Sequence, residues 1–585
     1  MLFSIFLPAE AAAERLSAAI AAHPEIYSLL SGLIRYALLL LGLFVVVGCG
    51  VSLLRGRHDR ELWGYLSMPD GTRQAIEHWE IVIGRSRRSD IVVNFPSVSR
   101  SHAVLMRDSA GGWTVTDLRS KTGTTVNRVP VEGTVPVRQG DLLSIGGVQM
   151  VLMPIDREEE AEHRRGRRVP GFLVHPALNL LWLTEFQIFA CVGLVIARCE
   201  SFVWAIPGVF FGLMAVMWAW YLLFRAMKRR GFELDTLAFF LSTLGLMVTT
   251  SYSPAALSKQ FFAMLLGLLV FIILGWILRD LDRVRRLRWP AAVGTVLLLA
   301  VTLVFGETKF GAKNWINIGG LSLQLSELAK VCFIFAGSAT LERLFARRNM
   351  VLFIVLAGLC VMVLALQGDY GTALIFFVTF LVIAFLRSGD LASVAFIAAA
   401  AVFGGFLVIR AKPYIAGRFA AWGHVWEHSA GLGYQQTRTM AAAASGGLFG
   451  VGVGEGWLKR IGAASTDLVF GILCEELGLI LALTAVAAVL IMAVFTRKSA
   501  VAARSAYYAI AACATAGMLV FQMALNVFGS LDILPLTGVT FPFVSTGGSS
   551  MVACWGLLAF LKAADTRQNA SFVVRLDRKK GAHAK

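Results

Sequence analysis

Thirteen apolar stretches long enough to cross a bilayer run through this chain, near 27–54, 178–197, 202–224, 232–251, 260–278, 290–306, 326–342, 350–366, 371–386, 391–410, 468–495, 505–528 and 548–563. In hydrocarbon every backbone N–H and C=O must find its partner inside the protein, and apolar segments of about 20 residues do so as helices. The expectation is a polytopic α-helical membrane protein. Its 585 residues are 57% hydrophobic and only 16% charged, far from a soluble average. A net charge of +17 would suit a nucleic acid if the basic residues shared one face. They fall instead in short clusters between apolar stretches: Arg55 to Arg60, Arg164 to Arg168, Lys228 to Arg230, Arg279 to Arg288, Arg343 with Arg347 and Arg348, Arg497 to Arg504, and Arg578 to Lys580. That is the positive-inside pattern, and no nucleic-acid partner is expected.

With thirteen crossings every cluster lies on one side. The N-terminus is then outside, the C-terminus is cytoplasmic, and the long 411–466 loop faces outward. The apolar run at 26–54 has no basic segment before it and is too long for a signal sequence, so it reads as a retained helix. Eight cysteines, Cys49, Cys191, Cys199, Cys332, Cys360, Cys474, Cys513 and Cys554, lie in or beside apolar spans without a CxxC. They indicate neither a disulfide framework nor a zinc site.

Residues 61–155 break the pattern. Polar and apolar residues alternate in Glu80 to Ile83, Ile91 to Val93, His102 to Met106, Trp113 to Thr116 and Val148 to Leu152, separated by turn residues. Short strands at this spacing predict an all-β sandwich, placed in the cytoplasm by the basic clusters on either side. Residues 156–171 read as a charged linker.

Thr466 and Asp467 open an apolar run and are followed by Glu475 and Glu476. A carboxylate where an outward loop enters a membrane helix is costly, though less so than the roughly 2.5–3.5 kcal/mol at the bilayer centre, and such acids tend to mark function. The same pair also reads as an interfacial helix cap.

Within the sandwich, Gly84-Arg85, Ser99-Arg100-Ser101-His102, Ser120 to Thr124 and Val126-Asn127 resemble the forkhead-associated (FHA) family, whose loops bind phosphothreonine. The resemblance implies that Arg85 and Ser99 contact phosphate with Arg100 and Lys121 nearby. It gives Gly84, His102 and Asn127 structural roles and puts Thr122 where the family commonly has Asn. A planar Arg fork and a hydroxyl suit a phosphate. The implied partner is a phosphothreonine protein made by a Ser/Thr kinase.

A second resemblance runs through Gly311 to Ile316, Ser322 to Lys330, Gln367 to Ala373, Gly433 to Gln435, Ser445 to Gly447, Thr466 to Gly478, Asn526 and Pro535 to Ser550. In this order these blocks are similar to the SEDS family, the RodA/FtsW-type peptidoglycan glycosyltransferases, over about 230–565. The resemblance implies a ten-helix core, with the helix before the sandwich (1–60), two further helices (172–229) and a basic tail (566–585) as additions. The implied enzyme is a lipid II-dependent hexosyltransferase of the bacterial cytoplasmic membrane, acting in division or elongation and releasing undecaprenyl pyrophosphate. A class B penicillin-binding transpeptidase is the implied partner, since such enzymes make glycan without crosslinking it.

Carried over by position, Asp467 is the catalytic acid position, either the general base or a ligand for a divalent cation, Mg or Mn, on the pyrophosphate. No dedicated metal set is visible. Lys313, Trp315, Gln435, Arg438 and Ser545 are substrate-side candidates, although Lys and Trp also anchor membrane boundaries. Glu327 and Lys330, three apart, form an intramembrane charge pair, and Asp369, Glu475 and Glu476 are further core acids. Gln324-Leu325-Ser326-Glu327 and Gln367-Gly368-Asp369 lack the prolines usual in the family, and Thr546 replaces a usual Tyr. The alternative is a lipid-linked precursor transporter without covalent chemistry, for which charges at mid-helix rather than at outward loops are expected. A signalling scaffold with an inert membrane part explains the membrane blocks least well.

Overall fold

The computed structural model describes residues 9–56, 62–87, 89–107, 111–156, 158–159, 173–201, 203–229, 231–309, 311–318, 321–339, 347–411, 413–567 and 570–571. Most of the charged linker and the basic tail beyond Ser571 lie outside the described residues, as do Arg343 and the end of the 326–342 stretch.

The chain opens with α1 (Ala9–Ala22) and α2 (Pro24–Arg55). A proline at the first turn of α2 suits a position whose N–H has no helical partner. Eleven strands follow: β1 (Gly64–Ser67), β2 (Arg73–Ile76), β3 (Glu80–Gly84), β4 (Ile91–Val92), β5 (Ala103–Arg107), β6 (Trp113–Asp117), β7 (Thr124–Val126), β8 (Val129–Pro130), β9 (Thr134–Val137), β10 (Leu142–Ile145) and β11 (Val148–Met153). They form two sheets, ordered β2-β1-β11-β10-β7-β8 and β4-β3-β5-β6-β9. Ile81 and Ile83 face the shared core with Leu105, Val115, Leu143, Met150 and Leu152, as the alternation in sequence requires. β3 and β5 are antiparallel, pairing Ile81 with Leu105 and Ile83 with Ala103.

The membrane part comprises α3 (Pro176–Ala197), α4 (Ala205–Ala226), α5 (Glu233–Tyr252), α6 (Leu257–Leu278), α7 (Leu281–Phe305), a three-stranded antiparallel sheet of β12 (Glu307–Lys309), β13 (Ala312–Ile318) and β14 (Leu321–Leu323), then α8 (Leu325–Ala339), α9 (Arg347–Leu366), α10 (Tyr370–Ser388), α11 (Leu391–Ala411), α12 (Pro413–Ala421), α13 (Tyr434–Gly446), α14 (Val469–Leu477), α15 (Leu479–Val501), α16 (Ala506–Ser530) and α17 (Gly548–Ala564). Among the described residues, nine helices are long and apolar enough to span a membrane, and shorter apolar helices lie in α9, α11 and α17.

The stretch expected as one helix at 468–495 is two. Gly478 separates α14 from α15 with φ +85°, a left-handed conformation that glycine adopts without a Cβ clash. A Cβ there would lie 2.4 Å from the Leu448 carbonyl oxygen, so the chain is pressed against the preceding loop. The eight cysteines are all free.

Five charged side chains are buried together where α5 meets the end of α17. Lys562 pairs with Asp235 at 2.5 Å, and Arg567 with Glu233 at 3.0 Å and Asp565 at 2.8 Å. Ser52 of α2 donates to Glu233 at 2.6 Å, so the helix ahead of the sandwich is tied into the network. Each charge has partners, the condition under which buried ions are tolerated.

The sandwich is docked on the membrane part at the same end. Trp79 N donates to the Arg504 carbonyl at 2.6 Å, and His78 Nδ1 lies 2.7 Å from the Ala503 carbonyl. The Trp79 ring packs edge-on against Trp63 and Tyr508, and an Arg285 guanidinium nitrogen reaches Met106 Sδ at 3.6 Å.

Candidate functional site

At the opposite end of α16 from Tyr508, a side-chain amide fixes a loop. Asn526 Nδ2 donates to Val539 O at 2.8 Å and to Asp467 O at 3.1 Å. Ser545 donates to Thr466 O at 2.6 Å and accepts from Phe541 N at 2.8 Å, and Gln435 Nε2 donates to Gly462 O at 3.1 Å. The Asp467 side chain rests against Gly538, whose Cβ position would be 3.4 Å from Oδ2. Asp467 lies in the loop ahead of α14, outside the membrane-spanning helices and partly exposed. Burial pushes its carboxyl up to about 6, with Asp369 acting in the same sense and Thr466 and Arg418 against it. Ser545 is buried with its hydroxyl used on the backbone, which places it as a support of the 466–467 peptide rather than in a substrate space.

Asp369 caps α10, accepting from Thr372 N at 3.0 Å, and takes Asn314 Nδ2 at 3.2 Å and Gln324 Nε2 at 3.4 Å. Three separated sequence blocks therefore meet on one carboxylate. The N-terminus of α10 abuts the 537–539 segment, since a Cβ on Gly371 would be 2.9 Å from the Thr537 carbonyl. The same segment covers Asp467. Arg418 donates to Leu536 O at 2.9 Å, which brings a cation to the rim.

Lys313 Nζ donates to Val304 O at 3.1 Å, and Trp315 stands on β13 opposite Glu307. Both belong to the small sheet beside the Asp369 cluster. Arg438 is exposed and stacks over Tyr434 at 5.2 Å, away from the buried groups. Lys330 pairs with Glu327 at 2.7 Å and donates to Gln522 Oε1 at 3.0 Å, while Gln522 Nε2 donates to the Thr540 hydroxyl at 2.8 Å. This couple is fully buried and is wired to the segment over Asp467. Glu475 and Glu476 are both buried and accept backbone N–H groups: Glu475 from Trp457 at 2.8 Å and Leu458 at 3.0 Å, Glu476 from Gly454 at 2.8 Å.

In the sandwich, His102 is fully buried. It accepts from Ser99 N at 3.0 Å through Nδ1 and lies 3.0 Å from the Gly123 carbonyl through Nε2, so it ties two loops together. The Ser99 hydroxyl accepts from Lys121 N at 3.1 Å. Gly84 backs onto the Arg100 carbonyl, 2.3 Å from where a Cβ would stand. Arg85 N donates to Ser99 O at 3.0 Å. Thr122 spends its hydroxyl proton on Ser97 O at 2.9 Å. Asn127 bridges Asp141 and Leu142 N, each at 2.9 Å, behind the loops. Burial would push the Asp117 carboxyl up, but hydrogen bonds from Thr124 and Ser120, with His102 beside it, hold it below the usual range. The result is a rigid, basic loop cluster holding Arg85, Ser99, Arg100 and Lys121.

The family model described as "Cell cycle protein" (FtsW/RodA/SpoVE) matches residues 233–570, more than half of the chain. The chain belongs to the FtsW/RodA/SpoVE family. An FHA domain model matches residues 81–146. A probable peptidoglycan glycosyltransferase FtsW of Escherichia coli is 32% identical over 339 residues, 54% of this chain and 81% of that protein. The peptidoglycan glycosyltransferase RodA of Mycobacterium leprae is 28% identical over 331 residues, 53% and 70% of the two chains. The solved structure of the rod shape determining protein RodA of Thermus thermophilus aligns with 28% identity over 57% of this chain and 97% of that one, with a TM-score of 0.43. The FtsW/RodA/SpoVE part is a multi-pass membrane glycosyltransferase, and helices α1 to α4 with the FHA domain precede it.

A resident metal fits this site poorly. Among the described residues no three His, Cys, Asp or Glu side chains gather as a ligand set, and Asp369 is occupied by three donors. Sequence reading passed over Arg418, a lone base in the short helix α12, and Gln522, a lone amide in an apolar helix. Nothing in their spacing marks either one. Asn314 and Gln324 lay inside the quoted blocks and were separable from their neighbours only by the fold.

Proposed function

We propose that the chain polymerises lipid II into glycan strands on the outer face of the cytoplasmic membrane, with Asp467 as general base. The observation that carries this reading is the placement of Asp467, with its peptide held by Asn526 and its carboxylate against Gly538, where the family blocks converge and at the far end of α16 from the sandwich and the basic Arg504; burial lifts the same carboxyl to about 6. That placement supports a cytoplasmic FHA domain and C-terminus, with the reaction outside. In the step proposed, Asp467 takes the proton of the acceptor sugar hydroxyl as its oxygen bonds to the donor anomeric carbon. The bond from that carbon to the pyrophosphate oxygen breaks, and undecaprenyl pyrophosphate leaves with the electron pair. A base whose pKa lies near the working pH suits this transfer. Lys313 and Arg418, at the rim, offer cations toward the departing phosphates. Mg or Mn, where it contributes, would arrive on the pyrophosphate rather than on a protein-held set.

The FHA loops are proposed to bind a phosphothreonine protein made by a Ser/Thr kinase, and a class B penicillin-binding transpeptidase to crosslink the product. Purified protein supplied with lipid II tests the reading. Wild type is expected to make polymer and Asp467→Ala to lose roughly 10²- to 10⁴-fold of the rate, the usual worth of a positioned base, at unchanged abundance. Polymer at the normal rate from Asp467→Ala removes the base assignment. No polymer from wild type, with or without a divalent cation and the transpeptidase, shifts weight to a precursor transporter.

A further inference from the structure

The helices that precede the family core touch the loop that leads into Asp467. Arg35 of α2 donates to the Val451 carbonyl at 3.0 Å. Arg198, the residue that ends α3, donates to the Ser251 carbonyl, and the Ser251 hydroxyl donates to Glu476. Both arginines lie outside residues 233–570, the part that matches the family. Burial holds Lys459 of the same loop below the usual lysine range, with the Arg198 charge adding to it. Packing adds to these polar ties, since a Cβ on Gly454 would lie 2.9 Å from Ala197 and one on Gly193 would lie 3.3 Å from Ile34 and 3.7 Å from Val453. A cavity of about 20 Å³, enough for a single water, remains between the two parts, walled by Ser31, Arg35, Glu455 and Glu476 among others.

The loop so held is built onto α14. Val451 N donates to Glu475 O at 2.8 Å and Gly452 N to Glu476 O at 3.1 Å, at the far end of a nine-residue helix that begins two residues after Asp467. The carboxylates of the same two glutamates take the Gly454, Trp457 and Leu458 N–H groups. Displacing residues 451–458 therefore moves α14, and α14 carries Asp467 at its head. A guanidinium in a membrane-spanning helix is costly without a partner, and the partner Arg35 has is this loop.

We propose that Arg35, bonded to the 451–458 loop at Val451, and Arg198, which reaches that loop through Ser251 and Glu476, are positioning residues for the polymerisation reaction that hold the loop and through it Asp467. The added helices thus set the rate of the core as well as carrying the FHA domain. This rests on the glycosyltransferase reading above, and the test separates the two. Full-length Arg35→Ala, Arg198→Ala, the double variant and Arg35→Lys are reconstituted in lipid, with wild type and Asp467→Ala as references. Lipid II polymerisation and hydrogen exchange of the 450–460 amides are both measured. The double variant is expected to lose about tenfold in kcat with KM for lipid II within twofold, and its loop amides to exchange at least tenfold faster. Arg35→Lys, which can still donate to Val451, is expected to recover most of the rate lost by Arg35→Ala. A merely structural role would lower the folded fraction without this split or this rescue.

Wild-type kcat and wild-type loop exchange in the double variant overturn the inference. So does loosened exchange without loss of kcat in an enzyme whose wild type makes polymer and whose Asp467→Ala does not. If wild type makes no polymer, the glycosyltransferase reading fails on that result, and unchanged exchange in the double variant rejects the loop-holding role separately.

Discussion

Asp467 is tuned by what it costs. Its carboxyl ionises at about 6 in the fold against an ordinary 3.8, so the folded state holds a proton that the unfolded chain has already released across that window. Linkage gives the sign: stability falls as pH rises from about 4 to about 6, and at neutral pH the ionised group opposes folding. Asp467→Asn is expected to raise Tm by a few degrees at pH 7 and by nothing at pH 4, while losing roughly 10²- to 10⁴-fold of the polymerisation rate. A lower Tm at pH 7 would contradict the account in which loss of solvation raises the carboxyl pKa. A general base at Asp467, as proposed, would work only when ionised, so the wild-type rate is expected to fall about tenfold between pH 7 and pH 5. A flat profile over that range would point to a different proton acceptor. Such opposition between stability and activity is common where a site keeps a charge it cannot fully solvate.

The sequence marked Asp467, Glu327 with Lys330 and the FHA loops because their chemistry is local: an acid at the head of an apolar run, a pair at i and i+3, an Arg and a Ser in turns. The break at Gly478 was less visible. The residues around it, Leu477 and Leu479, are as apolar as a continuous helix would need, and hydropathy is indifferent to φ. What ends α14 is the approach of another segment, since Leu479 N bonds to the Gly447 carbonyl at 3.0 Å. Strands β12 to β14 are likewise hard to see in sequence, because Glu307-Thr308-Lys309 has no apolar residue and the alternation of Leu321-Ser322-Leu323 is only three residues long. Gly478→Ala adds a left-handed alanine and a Cβ clash with backbone, so about 2 kcal/mol or more of stability should go. Thermal unfolding in detergent checks this, and an unchanged midpoint would mean that the 447–450 loop yields freely. Because Asp467 heads the shorter helix, polymerisation should fall with it.

Across the whole molecule, the orientation of the FHA domain decides what it can do. β3 begins at the docked end, one residue past Trp79, and finishes at Gly84 beside Arg85, so that Arg85 lies six residues from Trp79, about 20 Å at the rise of a strand. β5 runs back from Ala103, next to His102, through Met106, which meets Arg285. The loops proposed to bind phosphothreonine therefore point away from the membrane part while the other end grips the Ala503–Tyr508 turn that starts α16, the helix whose far end holds the Asp467 peptide through Asn526. The two ends are separable by mutation. Arg85→Ala is expected to cost a phosphothreonine peptide at least tenfold in affinity and to leave docking intact. Trp79→Ala, which removes a buried indole between Trp63 and Tyr508, is expected to keep peptide affinity within twofold. It should also make the segment between the sandwich and α3 several times more sensitive to protease, as the domain is released. Calorimetric peptide titration and limited proteolysis of the two full-length variants read both ends at once. Loss of affinity in Trp79→Ala would mean that docking and phosphate binding are coupled through the sandwich, and equal protease sensitivity in wild type and Trp79→Ala would mean that the turn before α16 does not hold the domain.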